Sequence, residues 1–173
     1  LHPLGQPLPD IKSCLQKFGG VKRRQEIRGV VNNITVIDDF AHHPTAVKET
    51  LFGLKSAHPD NRLIVVFEPR TNSSRRSVFQ QSYTKSFDDA DKVILREPIP
   101  LDNISPSDHF SSSQLAKDLQ VNNTEAWSFK TTEKILDHLA QILVPGDIVA
   151  ILSNGGFDNI HERLLDNLRK DNK

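Results

Sequence analysis

Two aspartates and two histidines crowd into residues 38–43, as Asp38, Asp39, His42 and His43. Carboxylates and imidazoles at this density could ligate a divalent metal, or hold and move a proton. The set has no H-x-x-x-H spacing, and Cys14, the chain's single cysteine, has no partner. Pro44 follows directly, and a polar residue before proline is ordinary where a helix begins. Helix initiation, ligand contact and metal ligation all stay open from these residue types alone.

A second cluster, Arg70, Asn72, Ser73, Ser74, Arg75 and Arg76, is rich in donors. Guanidinium groups fork onto carboxylates or phosphates. Cations at a helix start oppose the helix dipole, so either a solvated basic turn or an anion site would place them there. A third cluster, Ser153-Asn154-Gly155-Gly156, could bring free amides close to an anion, or be only a tight turn. The basic triplet Lys22-Arg23-Arg24 reads by itself as solvated surface. No G-x-x-x-x-G-K-[ST] and no G-x-G-x-x-G occurs, so neither common nucleotide loop is complete here.

The elements that must position these clusters follow from apolar periodicity. Pro9 and Asp10 can start a short helix over 11–18 that stops at Gly19-Gly20. Residues 25–31 and 34–37, joined by Asn32-Asn33, read as a β-hairpin. Pro44 suits a first helical turn, with Val47, Leu51 and Leu54 at helical spacing. The runs at 62–67, 92–95 and 147–152 are continuously apolar, as strands covered on both faces should be. Phe79, Tyr83 and Phe87 recur every four residues and predict one helix face. Tyr83 and Trp127 are expected in the core. Residues 98–113, with three prolines, predict a long surface loop, followed by a short helix around Leu115 and Leu119. A short strand over 126–129 and a helix over 135–143 come next, and Asp158 is placed to N-cap the last helix. Strands alternating with helices imply a Rossmann-like, doubly wound, mostly parallel α/β sheet with an antiparallel edge hairpin, in a single domain. Ligands of such sheets gather outside the carboxyl ends of the strands, and three of the four clusters fall there.

Composition narrows the classes. Lys and Arg total 22 against 22 Asp and Glu, so no basic footprint argues for nucleic acid or an anionic membrane. No apolar run approaches the roughly 18–20 residues of a membrane span. A lone cysteine suits a reducing compartment, and the start at Leu1 suggests a piece of a longer protein.

Together, FGGVKRRQEIRG, VIDDFAHHPTAV, VFEPRTNSSRR and GDIVAILSNGGF resemble the C-terminal domain of the Mur ligases, the ATP-dependent amide-forming enzymes of peptidoglycan synthesis. The resemblance runs from about residue 18 to the end. It implies a linker from a central ATPase domain over 1–20 and the C-terminal domain over 21–173, working with N-terminal and central domains in the cytoplasm. It also implies ATP and Mg2+, the metal ligands belonging to the central domain, and an acyl phosphate on the muramoyl carboxylate that an incoming amine attacks.

The KRR and DDxxHHP stretches resemble the branch acting on UDP-N-acetylmuramate. In the L-alanine-adding members the loop after the second parallel strand typically reads HRYTR. Here RTNSS stands instead, without the tyrosine and arginine that hold the small amino acid. The resemblance therefore implies the branch that joins UDP-N-acetylmuramate to the salvaged tripeptide L-alanyl-γ-D-glutamyl-meso-diaminopimelate. By the same likeness Arg24 and Asp39 face the nucleotide. His42 and His43 lie beside the reaction centre in positioning roles, and Arg70 with Asn72, Ser73 and Ser74 meets the peptide, with Asn154 lining the same pocket. No residue is assigned a catalytic role and no metal site is expected. The competing classes are an alanine ligase, a phosphoacceptor domain, which lacks its late-strand lysine at Leu152-Ser153, and a non-catalytic binding module.

Overall fold

The computed structural model describes residues 7–17, 19–100, 102 and 105–170. After helix α1 (Leu8–Gln16), strands β1 (Glu26–Val31) and β2 (Ile34–Asp39) form the expected hairpin. Asn32 and Asn33 turn it with φ of 54° and 60°, the left-handed pair that matches the twist of a two-residue hairpin loop. There follow α2 (Pro44–Ala57), β3 (Leu63–Phe67), α3 (Gln80–Thr84), β4 (Lys92–Arg96) and α4 (Ser112–Val121). The last elements are β5 (Glu125–Phe129), α5 (Thr132–Ile142), β6 (Ile148–Leu152) and α6 (Ile160–Lys170).

The strands make one six-stranded sheet in the order β1-β2-β6-β3-β4-β5. Among the described residues only β1 is antiparallel to its neighbour; β2 to β6 run parallel. Side chains alternate across a pleated sheet, and the core divides accordingly. Ile37, Val65, Phe67, Val93 and Leu95 pack under α2, the α3 region and α4. Val36, Ile64, Val66, Ile94, Val149 and Ile151 pack under α5 and α6. This is the doubly wound sheet that the apolar runs predict.

β6 lies between β2 and β3. Its helix, α6, covers one face, while α2 and α3 cover the other. The chain therefore leaves these neighbouring strands in opposite directions, which opens a crevice at their carboxyl ends.

Several local expectations change. The first helix begins at Leu8, ahead of the predicted start, and Phe18 lies outside the described residues. α3 has only five residues, so Phe87 lies beyond it. The aromatic spacing instead reflects a cluster in which Phe67 meets Tyr83 at 5.1 Å and Phe87 at 5.7 Å. The stretch 98–113 is not all surface loop. Phe110 is buried, and α4 starts at Ser112 with the Ser111 hydroxyl accepting from the Gln114 amide. Asp158 does not stand at the N-cap of α6. It sits inside the turn Phe157–Asn159, where all three residues have positive φ, and pairs with Arg163. Tyr83 is fully buried and Trp127 partly so.

Candidate functional site

Successive residues of β2 point to opposite faces, and this separates the two aspartates. Asp38 points toward α6, where His161 Nε2 lies 3.4 Å away, Arg23 Nε 3.5 Å and Arg28 3.9 Å. Asp39 points toward α2. One of its oxygens accepts from the Ala41 amide at 2.7 Å and from Thr50 Oγ1 at 3.4 Å; the other accepts from the Gln25 amide at 2.8 Å. Asp39 is 2% exposed, so its carboxylate ties the loop after β2 to the segment before β1.

That segment is wound tightly, with φ of 57° at Arg23 and 48° at Gln25. Arg23 turns its guanidinium inward and donates to the carbonyls of Ser153 and Gly155. Its own carbonyl accepts from the Phe40 amide. Arg24 stays exposed. The two guanidinium carbons lie 5.4 and 5.2 Å from the centroid of the Phe40 ring, a favourable cation–π distance. A depression of about 420 Å³ opens beside Arg24, floored by Gly19, Gly20 and Lys22.

His42 and His43 do different work. His42 Nδ1 lies 3.0 Å from the Phe40 carbonyl, a contact that requires a proton on Nδ1 and leaves Nε2 as the acceptor in the neutral ring. The His42 carbonyl accepts from the buried Tyr83 hydroxyl, whose pKa burial pushes upward. His43 is the N-cap of α2. Its Nδ1 accepts from the Thr45 amide, and its ring meets Phe79 edge-on at 4.9 Å.

Beyond β3, Glu68 Oε2 accepts from Ser153 Oγ at 2.6 Å, with Arg70 4.0 Å away. Arg70 lies across the loop after β6: a Cβ at Gly155 would sit 2.4–2.6 Å from its side-chain atoms. Ser74 is buried and engages Thr71, so it shapes the turn. Asn72 and Ser73 are exposed, and Asn72 accepts from Arg75. Asn154 Oδ1 is buried and makes no hydrogen bond among the described residues. A cleft of about 300 Å³ separates the ends of β3 and β4, with Arg70, Arg75, Arg96, Glu68 and Glu97 on its walls.

The crevice thus brings Arg70, the Asn72–Ser73 turn and Asn154 to one side, with Arg24, Asp39 and the histidines on the other. Arg23 reads in the sequence as solvated surface but points inward here, and Glu68, Arg96 and Glu97 carry no site reading in the sequence. The last two end a buried strand, which is the signal used for the other clusters. Among the described residues, no group of three His, Cys, Asp or Glu side chains is placed to hold a metal ion, and no helix is long and apolar enough to cross a membrane.

Comparison with known proteins identifies the architecture. Residues 23–155 match the family model "Mur ligase, glutamate ligase domain". A UDP-N-acetylmuramate–L-alanine ligase of Desulforapulum autotrophicum is 38% identical over 157 residues, covering 90% of this chain and 34% of that protein. The UDP-N-acetylmuramate–L-alanyl-γ-D-glutamyl-meso-2,6-diaminoheptandioate ligase of Escherichia coli K12 is 34% identical over 162 residues, covering 93% of this chain and 33% of that protein. The crystal structure of a murein peptide ligase from Psychrobacter arcticus superposes with a TM-score of 0.73 at 35% identity, covering 90% of this chain and 32% of that one. The chain therefore spans about a third of the length of these relatives. The chain belongs to the Mur ligase family, and its doubly wound sheet is that family's C-terminal domain.

Proposed function

We propose that this chain is the C-terminal domain, over residues 21–173, of a cytoplasmic ATP-dependent ligase that joins UDP-N-acetylmuramate to L-alanyl-γ-D-glutamyl-meso-diaminopimelate. The observation that carries the reading is the cleft between β3 and β4. Three arginines, Arg70, Arg75 and Arg96, stand on its walls against two glutamates. L-Alanine offers one carboxylate. The tripeptide carries three, spread along its length, and guanidinium forks are the side chains best matched to carboxylates. The RTNSS turn leaves Arg70 exposed at the mouth of this cleft.

The domain's own residues then divide the work. Arg70 holds a peptide carboxylate, with Asn72, Ser73 and Asn154 as neutral partners. The unsatisfied Asn154 Oδ1 suits a donor such as a peptide N–H. Arg24, exposed beside a glycine-floored depression, suits the phosphates of ATP, since its charge persists at any working pH. Asp39 fits a ribose acceptor poorly because protein donors occupy it. Its part is to hold the loop that presents His42 and His43. His42 Nε2, the acceptor left in the neutral ring, orients a donor on the substrate. ATP activates the muramoyl carboxylate, and the peptide amine is brought to it; the Mg2+ that accompanies ATP is assigned to the central domain.

An alanine ligase is the second reading, favoured by the 38% identity to such an enzyme against 34% to the tripeptide ligase. The two separate in one assay. The ligase carrying this domain, given magnesium, ATP and UDP-N-acetylmuramate, should release phosphate on addition of tripeptide and not of L-alanine. Release with L-alanine alone overturns the tripeptide reading.

A further inference from the structure

The loop after β6 is held at both of its ends. Its backbone is unfavourable by itself: Phe157, Asp158 and Asn159 all have positive φ, of 43°, 50° and 54°. Left-handed backbone is costly for residues that carry a Cβ, and it persists where surrounding contacts over-determine it. Phe157 is buried and anchors the far end. The near end, Ser153 to Gly155, is anchored by a side chain from the segment before β1.

That side chain is Arg23. Its Nη2 donates to the carbonyls of both Ser153 and Gly155, while its Nε lies 3.5 Å from Asp38. Asp38 is buried and also faces His161 and Arg28, so a buried carboxylate braces the guanidinium from behind. Charge-assisted bonds of this kind are stronger than neutral ones. A guanidinium serves carboxylate and carbonyls at once because its donors are rigidly set in one plane; an ammonium is a single point on a flexible stem.

On its other side the same loop seats Arg70. The Ser153 hydroxyl donates to Glu68 Oε2 at 2.6 Å and accepts from the Gly155 amide at 3.0 Å. Glu68 Oε2 is also 4.0 Å from Arg70 Nη1, the only ion pair of Arg70 among the described residues. The bare Cα of Gly155 lies under the Arg70 side chain. The place of Arg70 is thus set by Ser153 and Gly155, the two residues that Arg23 grips.

Resting on the tripeptide-ligase reading, we infer that Arg23 is a positioning residue for the peptide. It acts without touching substrate: through the 153–155 loop it fixes the Arg70 guanidinium that holds a peptide carboxylate.

The test is a double-mutant cycle in the full-length ligase, with wild type, Arg23→Met, Arg70→Met and the double variant assayed by phosphate release. Arg23→Met should raise KM for the tripeptide about tenfold, as loss of a charge-assisted contact at Arg70 predicts. KM for ATP should hold, because the turn carrying Arg24 keeps its backbone bonds, from the Arg23 amide to Glu26 and from the Phe40 amide to the Arg23 carbonyl. Arg23→Lys keeps the charge beside Asp38 without the fork and should fall between. In the double variant, tripeptide KM should equal that of Arg70→Met alone, since positioning a guanidinium that is absent contributes nothing. A merely structural role would lower kcat by loss of folded enzyme and would add to the Arg70 effect. Where Arg23→Met does not fold, the same cycle is read with Arg23→Lys. Additive effects on tripeptide KM, or a tripeptide KM unmoved by either Arg23 variant, overturn the positioning role and leave the ligase reading standing. Wild-type protein that does not turn over the tripeptide overturns both.

Discussion

At the scale of single residues, Gly155 joins the two sides of the crevice. Its carbonyl accepts from Arg23, the neighbour of the Arg24 that the proposed function assigns to ATP phosphates, and its Cα lies under Arg70, which that function assigns to the peptide. Gly155 is not among the positive-φ residues, so its backbone tolerates a side chain. The obstacle is contact: an added Cβ would meet Arg70 at 2.4–2.6 Å. The atoms met are the outer part of a flexible side chain, so Arg70 moves and the backbone stays. Gly155→Ala should therefore leave Tm nearly unchanged while raising KM for the peptide about tenfold, the size of one lost charge-assisted hydrogen bond. KM for ATP should hold, since Arg24 does not touch this atom. A drop in Tm with no change in peptide KM would mean that Arg70 merely covers the loop.

At the scale of elements, α6 is locked to the hairpin through ionisable groups. His161 faces Asp38 on β2, and Glu162 pairs with Arg28 on β1 at 2.6 Å. Burial lowers the His161 pKa below its ordinary value of 6.5; the facing Asp38 opposes this, and Arg28 and Arg23 add to it. Burial and the neighbouring Lys92 lower His138 in the same sense. As pH falls through the unfolded-state pKa, the unfolded chain takes up protons that the native state refuses, so stability is present above that pH and lost below it. Between about pH 7.5 and 5.5 carboxylates barely titrate, so the histidines should govern the slope. Tm should fall across that window, and His161→Gln should flatten the fall without abolishing it, because His138 remains. A slope identical to wild type would place the titration elsewhere. Elements of this kind were legible in the sequence wherever burial is two-sided, because a short unbroken apolar run between breakers is stable only where both of its faces are covered. α3 was less so, because Phe79, Tyr83 and Phe87 come from the turn before a short helix, the helix and the loop after it, and meet in one aromatic cluster with Tyr83 touching all of its other members, which imitates helical spacing. The inward turn of Arg23 was not legible in the sequence. Arg24 and Arg23 are equivalent by type, and only the left-handed turn at residues 23 and 25 decides which one points inward. The cleft lined by Arg96 and Glu97 was not legible either, because it depends on β4 lying next to β3, and strand order cannot be read from strand existence.

At the scale of the whole molecule, the sheet is complete while the proposed chemistry is shared. Both faces carry their own buried cluster. At the carboxyl ends of the strands, the polar side chains open outward: Arg24, Arg70 and Arg96 all lack a strong counter-charge of their own among the described residues. Neither a G-x-x-x-x-G-K-[ST] nor a G-x-G-x-x-G loop occurs in the 173 residues, and phosphoryl transfer rests almost wholly on positioning and charge stabilisation around the phosphates. Arginines on one wall, in the binding roles proposed for them, cannot supply that alone. The chain by itself should thus unfold in a single cooperative thermal transition, as a domain with its own core does. It should release no phosphate when mixed with magnesium, ATP, UDP-N-acetylmuramate and tripeptide. Adding the remaining two-thirds of the ligase as a separate polypeptide should restore release in proportion to complex formation, because the arginines described here would then face the phosphate-gripping half. Turnover by the 173-residue chain alone would mean that the crevice at β2, β6 and β3 contains a complete catalytic site, and the division of labour proposed between the domains would have to be abandoned.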